Sequence, residues 1–129
     1  MGYYNPIKGF YKRKRGFYML ERLFGNEAIE KVIFYLLKND SCFGKELAEN
    51  FDISLGYVQR TLSKLERANV IVSFQVGRTR VFKLNPRYAL IDELTLFFEK
   101  AYSFLPDNIK RKYYEKIVRK RPRRTGKKL

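Results

Sequence analysis

Between Leu55 and Ala68 the chain carries Gly56, Tyr57, Gln59, Arg60, Ser63, Lys64 and Arg67 at spacings that set them on one side of a helix. Val58, Leu62 and Leu65 fall on the opposite side. The chemistry on offer is hydrogen bonding and charge rather than bond making. An arginine fork and a glutamine amide each form paired hydrogen bonds with a planar polar edge, and lysine and serine hold anionic oxygens. Arg78, Thr79 and Arg80 beside Gly77 repeat that chemistry on a shorter segment, and Lys12, Arg13, Lys14 and Arg15 form a basic run near the start.

Nucleophilic and metal chemistry have little to work with. The 129 residues contain no His and one Cys, Cys42. That excludes an internal disulfide and a multi-thiolate metal site, and removes the commonest general base. Asp92-Glu93 with Asp40 or Asp52 are acids of the type used in metal-dependent nucleases, but no motif joins them. No catalytic residue, metal ligand or cofactor is assigned, and the chain reads as a binding protein rather than an enzyme.

The elements that position these side chains follow from pattern. Asn26 is a good N-cap, and Ile29, Val32, Ile33, Leu36 and Leu37 repeat at helical spacing, which predicts a first helix over about 26–38. Asn39-Asp40-Ser41 ends it and offers a cap for the next. A short helix over 43–51 puts Leu47, Ala48 and Phe51 on one face, and Asp52-Ile53-Ser54 breaks it. Ser54 then caps a helix over 55–68, which Asn69 ends by tolerating the left-handed conformation.

After Asn69 the period changes. Residues 70–75 and 79–85 are β-branched and aromatic around Val76-Gly77-Arg78, the signature of a β-hairpin, which Asn85-Pro86 terminates. A helix over 88–105 comes next, with Leu90, Ile91, Leu94, Phe97, Phe98, Ala101 and Leu105 on an apolar face wider than a small domain needs. Pro106-Asp107 opens a basic helix over 108–120. The expected core aromatics are Phe34, Phe51, Phe74, Phe82, Phe97 and Phe98, with Cys42 packed between the first two helices.

The formal net charge of +15 is uneven. Residues 1–20 carry five basic and no acidic residues; residues 21–100 carry 12 basic and 11 acidic; residues 101–129 carry 11 basic and two acidic. A nearly neutral body thus stands between two basic ends, the pattern of arms that bind polyanions. The expected organisation is a basic aromatic arm (1–24), a central domain (25–87), C-terminal helices (88–120) and a disordered basic tail (121–129). Tyr3, Tyr4, Phe10, Tyr11, Phe17 and Tyr18 interleave with the arm's cations and either stack on single-stranded bases or pack the arm on the body or a partner. No apolar run reaches membrane-spanning length and no secretory signal opens the chain, so a cytoplasmic, nucleoid-associated location is expected.

Helix, short helix, turn, second helix and hairpin is the order of a winged helix-turn-helix: a mainly α fold with a small β-hairpin wing and flanking C-terminal helices. Residues 47–71, LAENFDISLGYVQRTLSKLERANVI, resemble the helix-turn-helix of ArsR-like and MarR-like transcription regulators. Leu47-Ala48, Ile53-Ser54, Val58, Leu62, Leu65-Glu66 and Val70-Ile71 carry the likeness, which extends through Leu84-Asn85-Pro86 and covers about residues 25–105. Asp52 and Asn69 stand where the family often has Gly. Metal-sensing ArsR-like members place paired cysteines near this region, whereas the segment GKELAENFD has neither Cys nor His, which argues against thiolate metal sensing.

The resemblance implies double-stranded DNA as partner, with helix 55–68 in the major groove and wing 76–80 on the flanking backbone or minor groove. Arg and Gln of the helix are expected to read base edges while Lys and Ser hold phosphates. The expected contacts are Ser54, Gly56, Tyr57, Gln59, Arg60, Ser63, Lys64, Arg67, Arg78, Thr79 and Arg80, with Lys12, Arg13, Lys14 and Arg15 adding sequence-independent phosphate contacts. The surplus apolar face of 88–105, together with the apolar side of the first helix, implies a homodimer; its two recognition helices would lie about 34 Å apart on a pseudo-palindrome. A low-specificity architectural DNA-binding protein and an RNA- or ribosome-associated winged helix are the alternative readings.

Overall fold

The computed structural model describes the backbone of residues 11–13 and 16–18 and the full residues 20–115. Strands β1 (Tyr11–Arg13) and β2 (Gly16–Tyr18) pair antiparallel, with Tyr11 opposite Tyr18. A four-residue helix, α1 (Glu21–Phe24), comes next and ends at Gly25 in the left-handed conformation (φ 66°). Sequence pattern marks this stretch only as an arm, without these elements.

Helix α2 (Glu27–Lys38) is the centre of the molecule. The Asn26 side chain accepts hydrogen bonds from the amides of Ala28 (2.6 Å) and Ile29 (3.1 Å), as its N-cap role requires. Every residue from Ala28 to Leu36 is buried, including Glu30 and Lys31. Of the apolar residues of α2 only Leu37 is partly exposed, so this helix keeps little apolar surface for a partner. Glu30 survives burial because its carboxylate accepts the amide N–H of Leu20, and the Lys31 ammonium lies 5.3 Å from the Phe51 ring centre.

Asn39 ends α2, but Ser41 does not cap the next helix. Instead Cys42–Phe43 form a two-residue strand, β3, and helix α3 (Gly44–Phe51) starts directly after it. The Glu46 carboxylate accepts the Phe43 amide N–H (3.1 Å), closing the first turn from within. Asp52 ends α3 at φ 56°. Helix α4 (Leu55–Arg67) begins at Ser54, whose hydroxyl accepts the Tyr57 amide (3.1 Å), and its C-terminus runs into Asn69 at φ 69°. A Cβ built on Gly44 would sit 3.6 Å from the Leu55 and Gln59 side chains, so α3 and α4 cross closely there.

Strands β4 (Ile71–Val76) and β5 (Thr79–Leu84) form the expected hairpin, in register from Ile71 opposite Leu84 to Val76 opposite Thr79. Val76 belongs to the strand. The turn itself is Gly77-Arg78, with the positive φ (61°) at Gly77 that suits a tight two-residue loop. β3 adds to the other edge of β5, giving the three-stranded antiparallel order β3-β5-β4. Ile71, Ser73 and Gln75 share a face with Leu84, Phe82 and Arg80; Ile71 is buried there and Phe82 and Leu84 pack on the core. Phe74 lies on the outer face at 44% exposure, so its assignment to the core is corrected.

Helix α5 (Ile91–Ser103) starts three residues later than expected, because Tyr88 to Leu90 form turns. Its inner face, Phe98, Ala101 and Tyr102, packs on α2 with Leu105 beyond its end. Phe34 sits at the junction, edge-on to Phe98 (5.8 Å) and Tyr102 (5.5 Å). Phe97, also assigned to the core, is 47% exposed and points away. Of the segment expected as a single basic helix over 108–120, the described part is a three-residue helix, α6 (Asp107–Ile109), running into a π-helical turn over Lys110–Tyr114; residues 116–120 lie outside the described residues. That turn seats Tyr114 against Phe34 (5.7 Å), Phe51 (5.4 Å) and Tyr102 (5.6 Å). Asn39 Nδ2 donates to the Tyr114 carbonyl (2.7 Å) and Asn50 Nδ2 to that of Tyr113 (2.8 Å), tying the turn to α2 and α3.

Cys42 is 1% exposed in β3, opposite Phe82. Burial, and secondarily the Glu46 charge, push its thiol from 9.0 up to about 12. A raised value means that the fold disfavours the thiolate. The associated stability is complete below pH 9.0 and is lost as the pH rises through about 12. Between neutral pH and pH 9.0 the thiol leaves stability unchanged, and urea titrations are expected to show a decline above pH 9.0. A thiol reagent at neutral pH should label Cys42 only at the rate of global unfolding; rapid labelling of the native chain would contradict its burial.

Candidate nucleic-acid interface

The exposed side of α4 carries Gly56, Gln59, Arg60, Lys64 and Arg67, with Ser63 half-buried among them. Val58, Thr61, Leu62 and Leu65 are buried beneath. Thr61 was not anticipated, although its place between Val58 and Leu65 completes the helical stripe. No ion pair engages Arg60, Lys64 or Arg67 among the described residues; pairs such as Lys38–Glu99, Lys83–Asp40 and Lys110–Asp107 lie elsewhere. The face is therefore cationic and available. Arg67 Nη1 donates to Ser63 Oγ (2.7 Å), one turn back on the same helix. The Arg60 guanidinium folds over Gly56, where it would lie 3.4 Å from an added Cβ.

Tyr57 is the exception on this face. Its hydroxyl donates to Asn26 Oδ1 (3.1 Å) and accepts the Glu27 amide N–H (3.2 Å). Asn26 Nδ2 in turn donates to Thr61 Oγ1 (3.2 Å). The Tyr57 hydroxyl thus clamps the start of α2 onto α4, while the half-buried residue lines the same groove as Arg60 and Lys64. A Tyr57→Phe variant keeps the ring and loses both hydroxyl bonds. It is expected to lose about 1–2 kcal/mol of stability in urea titration, and an unchanged midpoint would count against the clamp. Ser54 is likewise engaged in its cap, with the residue exposed beside the helix start.

Two grooves flank α4. One, of about 370 Å³, runs along the α2 side and is lined by Asn26, Tyr57, Arg60, Thr61, Ser63, Lys64 and Arg67. The other, of about 380 Å³, lies between α4 and the sheet, where Gln59 and Ser63 face Arg78, Thr79 and Arg80 across a floor containing Leu55, Leu62 and Phe82. Lys45, on the first turn of α3, joins the rim of this second groove. Sequence reasoning missed it, because a single lysine on a short helix carries no signal until the fold sets it beside the wing.

The structure thus brings together Gly56, Gln59, Arg60, Ser63, Lys64, Arg67, Arg78, Thr79 and Arg80 on one side of the molecule. Lys12 and Arg13 lie in β1, described by backbone only; Tyr3, Tyr4, Phe10, Lys14, Arg15, residues 116–120 and the tail over 121–129 lie outside the described residues. Among the described residues no cluster of three or more His, Cys, Asp or Glu is arranged to hold a metal ion, and no helix is long and apolar enough to cross a membrane.

Residues 26–72 match the family described as winged helix-turn-helix DNA-binding. The matched span begins at the α2 cap and ends at the second residue of β4, so it includes both helices of the turn and the start of the wing. No curated protein matches the chain. Among solved structures the chain is similar to mutants of ZitR from Lactococcus lactis. A double mutant aligns at 24% identity over 59% of this chain and 55% of its own (TM-score 0.46). The same mutant in apo form aligns at 21% over 66% and 67% (TM-score 0.47). A single mutant aligns at 21% over 72% and 66% (TM-score 0.46).

Proposed function

Residues 26–72 being a winged helix-turn-helix of the DNA-binding family, we propose that the chain is a sequence-specific, double-stranded DNA-binding transcription regulator that acts as a homodimer. The observation that carries this reading is the cationic face of α4, continuous across the sheet-side groove with Arg78 and Thr79 of the wing. In the proposed mode α4 enters the major groove. Gln59 and Arg60 reach base edges, while Ser63, Lys64 and Arg67 hold phosphates on the side of α2. Arg78 and Thr79 at the Gly77 turn reach the flanking backbone or minor groove. The basic segments at both ends, Lys12 to Arg15 among them, add affinity without sequence choice.

The dimer rests on apolar surface left uncovered away from α4. Leu23 and Phe24 of α1 and Leu96 and Phe97 of α5 are 66%, 38%, 71% and 47% exposed, and Phe24 stacks on Phe98 (5.8 Å), which joins the two helices into one surface. A second copy seated there buries this surface and repeats α4 on the far side of a two-fold axis. Selection of bound duplexes from a random pool, read at two salt concentrations, tests the proposal. A recovered palindrome is the expected result. Failure to enrich any motif would overturn it in favour of low-specificity DNA coating, for which the +15 charge speaks. Preference for structured RNA over duplex in matched salt would overturn it in favour of an RNA-associated role.

A further inference from the structure

The two arginines of the wing differ in how they are held. Arg78 lies in the hairpin turn, whereas Arg80 is reached by a relay. Its Nη1 donates to Ser73 Oγ (2.9 Å), and Ser73 Oγ donates to Glu66 Oε2 (2.7 Å). A serine hydroxyl has one proton, so giving it to Glu66 leaves its lone pairs to accept from Arg80; the two partners fix the direction of the relay. Ser73 opposes Phe82 on β5, two residues from Arg80, so Ser73 and Arg80 share the core-facing side of the sheet. Glu66 is the sole acid in α4 and lies in its last turn.

We propose that Glu66 and Ser73 are positioning residues that hold Arg80 inside the groove between α4 and the wing, aimed at the base-pair edge that α4 reads. Arg80 then acts with Gln59 as part of the reading surface and not with Arg78 as a tip contact to the backbone. The inference rests on the DNA-binding reading above and goes beyond it, because neither Glu66 nor Ser73 belongs to the contact set that reading requires. The physical reason is preorganisation. A free arginine loses much rotamer freedom when it binds, and one already held by a hydroxyl loses less and presents its fork in one orientation. Gln59, Ser63 and Arg80 line the same groove, so an arginine so held adds its donors where the helix presents its own.

The test uses the full chain and the duplex motif selected by the wild type. Arg80→Ala and Ser73→Ala are each expected to broaden the selected motif at the same base pair and to weaken binding about tenfold. Ser73→Thr keeps the hydroxyl on a β-branched side chain suited to a strand, and is expected to restore both affinity and motif. The Ser73→Ala/Arg80→Ala double variant should bind no worse than Arg80→Ala alone. Glu66→Ala breaks the relay at an exposed helix position and should broaden the same base pair, which keeps the test informative should Ser73→Ala fold poorly.

A wild-type motif with unchanged or tighter binding by Ser73→Ala would overturn the relay while leaving the DNA-binding reading standing. Additive losses in the double variant, or Thr behaving as Ala, would do the same. A wild type that enriches no motif overturns both.

Discussion

A chain carrying Arg60→Ala, Lys64→Ala and Arg67→Ala together is expected to lose about 10³-fold in affinity for its selected duplex at low salt. These residues are exposed on α4, without ion-pair partners among the described residues, and line the same groove. Two effects add. Arg60 is assigned to a base edge, so its loss should relax preference at one position. Lys64 and Arg67 are assigned to phosphates, so their loss should make the salt dependence shallower by roughly two units of log–log slope. Stability should hardly move, since the replaced side chains are on the surface and only the Arg67–Ser63 bond is lost. Binding titrations at several salt concentrations, with thermal unfolding as control, separate these outcomes. Retained affinity with an unchanged slope would remove α4 from the interface.

The largest effect on stability is expected at Phe34. It is 0% exposed and meets Phe98, Tyr102 and Tyr114 edge-to-face at 5.8, 5.5 and 5.7 Å. One ring therefore joins α2 to α5 and to the π-helical turn. Phe34→Ala leaves a cavity where three elements converge, and should cost about 3–5 kcal/mol in urea titration, or roughly 10–20 °C in melting temperature. The loss should spread to α5 and the Tyr114 turn, whose docking depends on that ring. A loss below about 1 kcal/mol would contradict the placement of α5 on α2.

Much of the central region is legible in the sequence because its signals are local. Asn26 and Ser54 cap the helices that pattern assigns to them, and the non-glycine residues with positive φ among the described residues, Asp52 and Asn69, are ones the pattern marks as breaks. Capping and left-handed turns are decided within three or four residues, so a short window contains the cause. The stripe Val58, Leu62, Leu65 is buried as periodicity requires. The hairpin arises from β-branched runs around Gly77 for the same reason.

The features that local pattern misses depend on distance along the chain. β3 is two residues long and exists because β5, some forty positions later, offers it an edge; no local pattern specifies such a strand. Phe74 and Phe97 are aromatic residues inside regular elements, and only packing decides which face of the sheet or helix is covered. The π-helical turn results from the fit of Tyr114 among Phe34, Phe51 and Tyr102, a constraint spread over three elements. Helical pattern puts Tyr57 outward on α4, and only the fold brings Asn26 near enough to engage its hydroxyl.

The sequence by itself determined the order of the helices and hairpin strands from Asn26 to Leu84, though not β3, and with it the composition of the cationic α4 face and the absence of histidine. Each is a matter of residue type and local spacing. The tertiary structure alone decided which of those side chains are available. It engaged Tyr57 with the start of α2, tied Arg80 through Ser73 to Glu66 and brought Lys45 to the rim of the wing groove. It also buried α2 from Ala28 to Leu36 within its own chain and left Leu23 and Phe24 of α1 and Leu96 and Phe97 of α5 exposed. Those outcomes rest on contacts between residues from 7 to 31 positions apart or between whole elements, where hydrogen-bond geometry and close packing, not propensity, select one arrangement.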